Sequence, residues 1–273
     1  MNRIKTTFEQ LKADGRKALI PFVTAGDPCL DTTLSVMHAL AEAGSDVIEL
    51  GIPFSDPSAD GPVIQAASER ALVKGTRLRD VLEVVAKFRK TNQSTPVVLM
   101  GYLNPFEIYG YESFAKDAQI AGIDGLLIVD MPPEESDPFA GLLSDKGINL
   151  IYLIAPTTTE QRAKMICAQA SGYIYYVSLK GVTGAGHIDV AEVAGKVAKL
   201  KAITELPVGV GFGIKDADSA TQVGAVSDGV VIGSALVNLI HQTAQNSDNP
   251  DDIRDAIIGF MGTIRTALDS LNS

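Results

Sequence analysis

The sequence is short of the residues on which many enzyme chemistries depend. Its 273 residues include two cysteines, Cys29 and Cys167, and no CxxC pair. That excludes a disulfide framework and a cysteine zinc site. The three histidines, His38, His187 and His241, lie far apart in the chain, which supports neither a metal-dependent aldolase nor a Ser-His-Asp site. No apolar run approaches the ~20 residues that cross a bilayer. The amino-terminal stretch MNRIKTTFEQLKADGRKAL also lacks an apolar signal core, so a soluble, cytoplasmic protein is expected. Positive charge is scarce as well: the formal net charge is -10. This argues against wrapping nucleic acid or coating an anionic membrane. An anionic small substrate stays admissible, because local backbone dipoles bind phosphate inside acidic proteins.

What the chain does have is a regular alternation of short apolar runs and amphipathic stretches, with 46% hydrophobic residues to fill a core. The spacing predicts a helix over 4–13, then strands over 18–24, 46–50, 96–102, 124–130, 149–154, 172–177, 207–210 and 228–232. Helices are predicted over 31–43, 63–73, 78–90, 112–121, 133–146, 159–170, 189–201 and 215–223, from 234, and over 251–271. The strands are apolar on both faces and rich in Val and Ile, as parallel strands covered by helices are. Such a series, without a linker or composition break, predicts a single (βα)8 TIM barrel over 1–273. It would carry an extra N-terminal helix and extra helices after strands 2 and 8. An open Rossmann-like sheet is the competing fold, but no GxGxxG opens a helix after the first strand.

The stretch DVIELGIPFSDPSADGPVI, residues 46–64, sets a carboxylate into a strand and a second one into the loop that follows. Alternation puts Val47 and Glu49 on one face. The competing structural reading for Glu49 is a buried salt bridge. None of the predicted strands contains Lys or Arg to complete one, which favours acid–base chemistry at a strand end. Asp60 reads equally as a catalytic acid or as a turn residue in SADGP. Phe22, Met100, Tyr102, Leu127, Val129, Leu153, Tyr175 and Ile232 are candidates to face the same mouth, where they would suit a flat apolar group; plain barrel core is the other reading. No strand lysine is available for a Schiff base.

Three Gly-rich segments follow the late strands: 181–186, 211–213 and 233–234. Barrels commonly hold phosphate in the loops after strands 7 and 8, where Gly lets backbone N–H groups approach and a helix starting at Ser234 adds its positive end. The residues thus describe a phosphorylated substrate with an apolar ring, handled by carboxylates.

The runs IELGIPFSDPSADGPVIQ, YLNPFEIYG (102–110), LLIVDMPPEE (126–135), LIAPTTT (153–159), the GVTGA loop and GFGI occur in this order along nearly the whole chain. Together they resemble the tryptophan synthase alpha subunit family. The resemblance implies a carbon–carbon lyase that cleaves indole-3-glycerol phosphate to indole and glyceraldehyde 3-phosphate. It implies Glu49 as general acid–base and Asp60 as the acid holding the indole N–H. Phe22, Met100, Leu127, Tyr175 and Ile232 would form the ring pocket. Gly184, Gly213, Gly233 and Ser234 would form the phosphate cradle, and Thr183 a lid residue closing toward Asp60. Leu179 departs from the Arg that many relatives carry beside that lid.

The resemblance further implies no cofactor in this chain. Pyridoxal phosphate would reside in a partner beta subunit, with two copies of each chain in the complex. The docking face is expected at the mouth, where Pro53, Phe54, Asp56, Pro57 and Asn104 are candidates. Two other functions stand beside this one: a different phosphate-binding barrel lyase or isomerase, and a non-catalytic activator of a partner subunit.

Overall fold

A computed structural model of the chain describes residues 2–178, 189–211, 213–247 and 249–272. Eight parallel strands close into a barrel in chain order: β1 (Ala18–Thr24), β2 (Ile48–Gly51), β3 (Val97–Gly101), β4 (Gly125–Ile128), β5 (Asn149–Ile154), β6 (Ile174–Val177), β7 (Val208–Gly211) and β8 (Gly229–Ile232). The wall helices are α2 (Leu30–Glu42), α4 (Leu78–Phe88), α6 (Tyr111–Ala121), α7 (Phe139–Asp145), α8 (Glu160–Gln169), α9 (Val190–Lys201), α10 (Ala217–Gly224) and α12 (Pro250–Asp269). The expected additions are α1 (Arg3–Ala13) before β1, α3 (Pro62–Val73) after β2 and α11 (Ser234–Asn246) after β8.

Two helical segments differ from expectation, and proline explains both. The run LNPFEIY forms a separate helix, α5 (Leu103–Tyr109), although Pro105 obscures its pattern. Proline is tolerated in a first turn, where its missing N–H had no intrahelical partner. Conversely, the helix expected over 133–146 is broken. A 3-10 turn, Pro133–Glu135, comes first, and α7 starts only after Pro138.

The inner face of the barrel is filled by alternate strand residues: Ala18 and Ile20 of β1, Val98 of β3, Leu127 of β4, Ile151 of β5, Tyr175 of β6 and Val231 of β8. Ile4, Phe8 and Leu11 of α1 join this cluster, so the amphipathic helix closes one end. That end is tied by Asp124, which accepts from Arg3 Nη1 (2.8 Å), Arg89 Nη2 (2.7 Å) and the Val97 N–H (2.9 Å). The outer strand face packs under the helices, and Ile232 belongs there. Its expected place in the ring pocket is therefore corrected. Ile20 pairs with Val231 and Pro21 with Ile232, and paired residues of parallel strands share a face, so Val231 is the inward neighbour. Among the described residues no helix is long and apolar enough to cross a membrane.

Candidate active site

Glu49 sits on β2 between Phe22 of β1 and Val98 of β3, and its side chain is fully buried in the inner face. Oε1 accepts a 2.5 Å hydrogen bond from Tyr173 Oη; Oε2 has no partner among the described residues. Burial pushes the carboxyl up to about 8, opposed by the tyrosine's donated bond. Glu49 therefore holds a proton at neutral pH, poised where a general acid needs it. Tyr173, itself raised well above the usual phenol value by burial and then by Glu49, stays a donor. The sequence reading missed it, although it shares the parity of Tyr175 on the predicted strand.

Asp60 lies in the β2–α3 loop, and Tyr102 Oη donates 3.1 Å to its Oδ2. Burial raises Asp60 to about 6, against the lowering effect of that bond. The tyrosine oxygen in turn accepts from the Ala59 N–H at 3.0 Å, and Gln65 Nε2 donates 2.9 Å to the Asp60 carbonyl. Asp60 lines a pocket with Phe22, Thr24, Ile64, Met100 and Val129. Of the expected ring residues, Phe22 and Met100 reach this pocket, while Leu127 and Tyr175 pack in the inner barrel cluster beside Met100. Ile64 and Thr24 were not foreseen: Thr24 ends β1 with the parity of Phe22, and Ile64 lies in the first turn of α3 on its buried face.

Gly51 sets the width of this pocket. A Cβ there would stand 2.5 Å from Phe22 Cζ, too close for an aromatic ring held on the neighbouring strand. Gly51→Ala is expected to push Phe22 inward, destabilise the fold by about 1–3 kcal/mol and raise KM more than it lowers kcat. Denaturant unfolding and steady-state kinetics check this; an unchanged KM would mean that Phe22 does not border the substrate.

Beside Phe22, where a Cβ on Gly233 would stand 3.6 Å from the Phe22 Cβ, Gly233 caps α11 without any side-chain bond to its first turn, and Ser234 is the exposed first residue of that helix. Helix N–H groups there have no intrahelical partner and favour an anion. Gly213 follows β7 with φ +82°, a conformation open to glycine. Thr183, Gly184 and Leu179 lie outside the described residues.

The expected docking residues separate. Pro53 is buried and offers no surface, because it follows Ile52 directly out of β2; this corrects its place among them. Phe54 is half-buried, stacked on Tyr102 at 5.1 Å between ring centroids. Asp56 is exposed and accepts 2.6 Å from Ser55 Oγ, Pro57 is half-buried and Asn104 is exposed on α5. Ile108 on the same helix is 79% exposed, an apolar side chain the sequence reading passed over. No group of three or more His, Cys, Asp or Glu among the described residues is arranged to hold a metal ion.

An all-parallel closed barrel with acids at the carboxyl end of its second strand is the architecture of the (βα)8 barrel enzymes. Comparison with known proteins narrows this. Residues 8–260 match the family model described as tryptophan synthase alpha chain. The tryptophan synthase alpha chain of Marinobacter nauticus is 57% identical over 271 residues, covering 99% of each chain. That of Nitrosococcus oceani is 53% identical over 270 residues, covering 99% of this chain and 98% of the relative. The crystal structure of tryptophan synthase subunit alpha from Legionella pneumophila superposes with a TM-score of 0.91 at 46% identity, covering 99% of both chains. The chain belongs to the tryptophan synthase alpha chain family, with the lyase role in tryptophan biosynthesis that this name carries. The other two readings, a different barrel enzyme and a non-catalytic activator, find no support in these matches.

Proposed function

We propose that this chain cleaves indole-3-glycerol phosphate to indole and glyceraldehyde 3-phosphate. The observation that carries the reading is Glu49: a buried carboxyl raised to about 8, facing the barrel interior on the strand next to the one bearing Phe22. Glu49 would protonate the indole carbon bearing the side chain. Positive charge then develops on the ring nitrogen, and the Asp60 carboxylate would stabilise it. As the carbon–carbon bond breaks, its electrons return to the ring and the glycerol hydroxyl loses its proton to a carboxylate base, leaving the aldehyde. The Glu49 carboxylate generated in the first step is the base we assign.

The phosphate would rest on Gly213, Gly233, Ser234 and the N-terminus of α11, with Gly184 completing the cradle and Thr183 acting as the lid residue. Gly213→Val is expected to weaken glycerol phosphate binding about 10-fold or more, since a branched residue resists positive φ, while leaving binding of free indole compounds much less affected. Equal losses for both ligand types in calorimetric titrations would mean general misfolding instead.

The chain would carry no cofactor and work in the cytoplasm beside a pyridoxal-phosphate-dependent beta subunit, as two copies of each. Phe54, Asp56 and Pro57 follow β2 and Asn104 follows β3, at the carboxyl end of the barrel from which indole would leave, which supports a docking face there. The deciding experiment is purified chain with indole-3-glycerol phosphate, with and without a beta subunit, together with the mass of the mixture by sedimentation. Release of indole and glyceraldehyde 3-phosphate, stimulated by a partner that sediments with the chain, is the expected result. No cleavage under either condition would reject the reading.

A further inference from the structure

Helix α3 carries Asp60 at its entrance, yet its own grip on the barrel is slight. Its buried positions are Ile64, Ala67, Ser68 and Ala71, spaced as one helical face, and only Ile64 is large. The apolar cluster that receives it contains Phe22, Ile64, Ala67 and Val237, and is separate from the two main cores. Gly61, the residue before the helix, makes no side-chain cap. One polar contact stands out. Arg70, in the last turn of α3, donates from Nε to Asp27 Oδ1 at 2.8 Å and from Nη2 to Oδ2 at 2.7 Å. The Asp27 side chain is 3% exposed. This two-pronged geometry fixes orientation as well as distance.

Asp27 is itself referenced to the barrel. It lies three residues beyond Thr24, the last residue of β1, and its N–H reaches back to the Thr24 carbonyl at 3.4 Å. The neighbouring Gly26 N–H donates 2.9 Å to Thr33 Oγ1 on α2. At the other end of α3, Gln65 holds the Asp60 carbonyl. A continuous path therefore runs from β1 through Asp27, Arg70 and α3 to the Asp60 backbone.

We propose that Asp27 and Arg70 are positioning residues for the substrate-facing acid, locking α3 so that Asp60 and Ile64 meet the bound ring. This rests on the reading of Asp60 given above. Neither residue lines the pocket that Asp60 borders, so they act through the helix alone.

The test compares Arg70→Met, Arg70→Lys and Asp27→Asn with Arg89→Met, which breaks the buried Arg89–Asp124 pair (2.7 Å) at the end of the barrel closed by α1. All are assayed on indole-3-glycerol phosphate with the beta subunit present, at temperatures giving equal folded fractions by circular dichroism. Arg70→Met and Asp27→Asn should lose about 10- to 100-fold in kcat, as misplacement of a reacting group does. Arg70→Lys should recover part of this, and it keeps Asp27 paired should Arg70→Met not fold. Arg89→Met should lose stability without a matching loss of kcat. Losses at Arg70 and Asp27 no greater than at Arg89, or no recovery in Arg70→Lys, would overturn the proposal. Asp60→Asn separates the two layers. If it turns over normally, the reading of Asp60 fails and takes the proposal with it; if it is impaired while the Arg70 and Asp27 variants are not, the positioning role alone fails.

Discussion

Glu49→Gln should cut turnover of indole-3-glycerol phosphate by at least ~10²-fold and, in the same protein, raise stability at alkaline pH. The amide keeps the shape of the carboxyl, and its oxygen can still accept from Tyr173, but it has no proton to transfer. The stability effect has a definite sign. The folded value is about 8 against 4.5 for the free group, so the fold favours protonated Glu49. Its contribution is fully present below about pH 4.5 and is lost as pH rises through about 8. Each unit is worth about 1.36 kcal/mol, which puts the cost of ionisation in the wild type at a few kcal/mol. A buried amide N–H lacking a partner takes back about 1–3 kcal/mol. The net expectation is a variant less stable than or equal to wild type in acid and more stable above neutrality. Denaturant unfolding across the pH range, beside single-turnover kinetics, checks both halves. Near wild-type turnover would sink the assignment of Glu49. Loss of turnover with a pH-independent stability difference would mean that the carboxyl is not held protonated.

How far the sequence carried this picture varies from element to element. Strand β1 and strand β5 were legible to the residue, because long runs bounded by polar or glycine-rich turns leave little choice of register. Glu49 was legible because a carboxylate inside an apolar strand is costly without a reason. Ile232 was misplaced because β8 is only four residues, all without polar alternation; one residue of slip exchanges the two faces. Helix α5 was hidden by Pro105, and the break before α7 by reading through Pro138. Tyr102 was placed near the mouth by its parity, Tyr173 was passed over although it shares the parity of Tyr175, and the partner of neither could be read from the sequence. Tyr173 meets Glu49 across 124 residues of chain, a pairing that barrel closure creates and no local pattern records. The Asp27–Arg70 pair was invisible for the same reason: it depends on how α3 lies over the end of β1.

The second large effect is expected at Asp60, and its pH dependence identifies the charge state that matters. In the proposed cleavage, positive charge grows on the indole nitrogen, so Asp60 is useful only as a carboxylate. Burial holds it near 6; below that it is neutral, and kcat/KM should fall. Glu49 must be protonated to begin the reaction, so kcat/KM should fall again above about 8. The wild-type profile is therefore a bell between these values, and as coupled groups they define the limbs jointly. The substrate phosphate also ionises near about 6, so the acid limb has two contributors. Asp60→Asn resolves them. It should lower kcat by ~10²-fold or more, the loss that follows removal of one stabilising group from a water-poor site. It should also leave an acid limb that matches titration of the phosphate alone, with the alkaline limb in place. Tyr102 can still donate to the amide oxygen, so the loop geometry is kept and the charge is the variable. An acid limb unchanged in steepness and midpoint would show that the phosphate sets it, and a kcat within a few-fold of wild type would remove Asp60 from the chemistry. If instead the alkaline limb moves toward lower pH, the Asp60 charge is part of what holds the Glu49 proton. The two acids would then titrate as one unit across the mouth of the barrel.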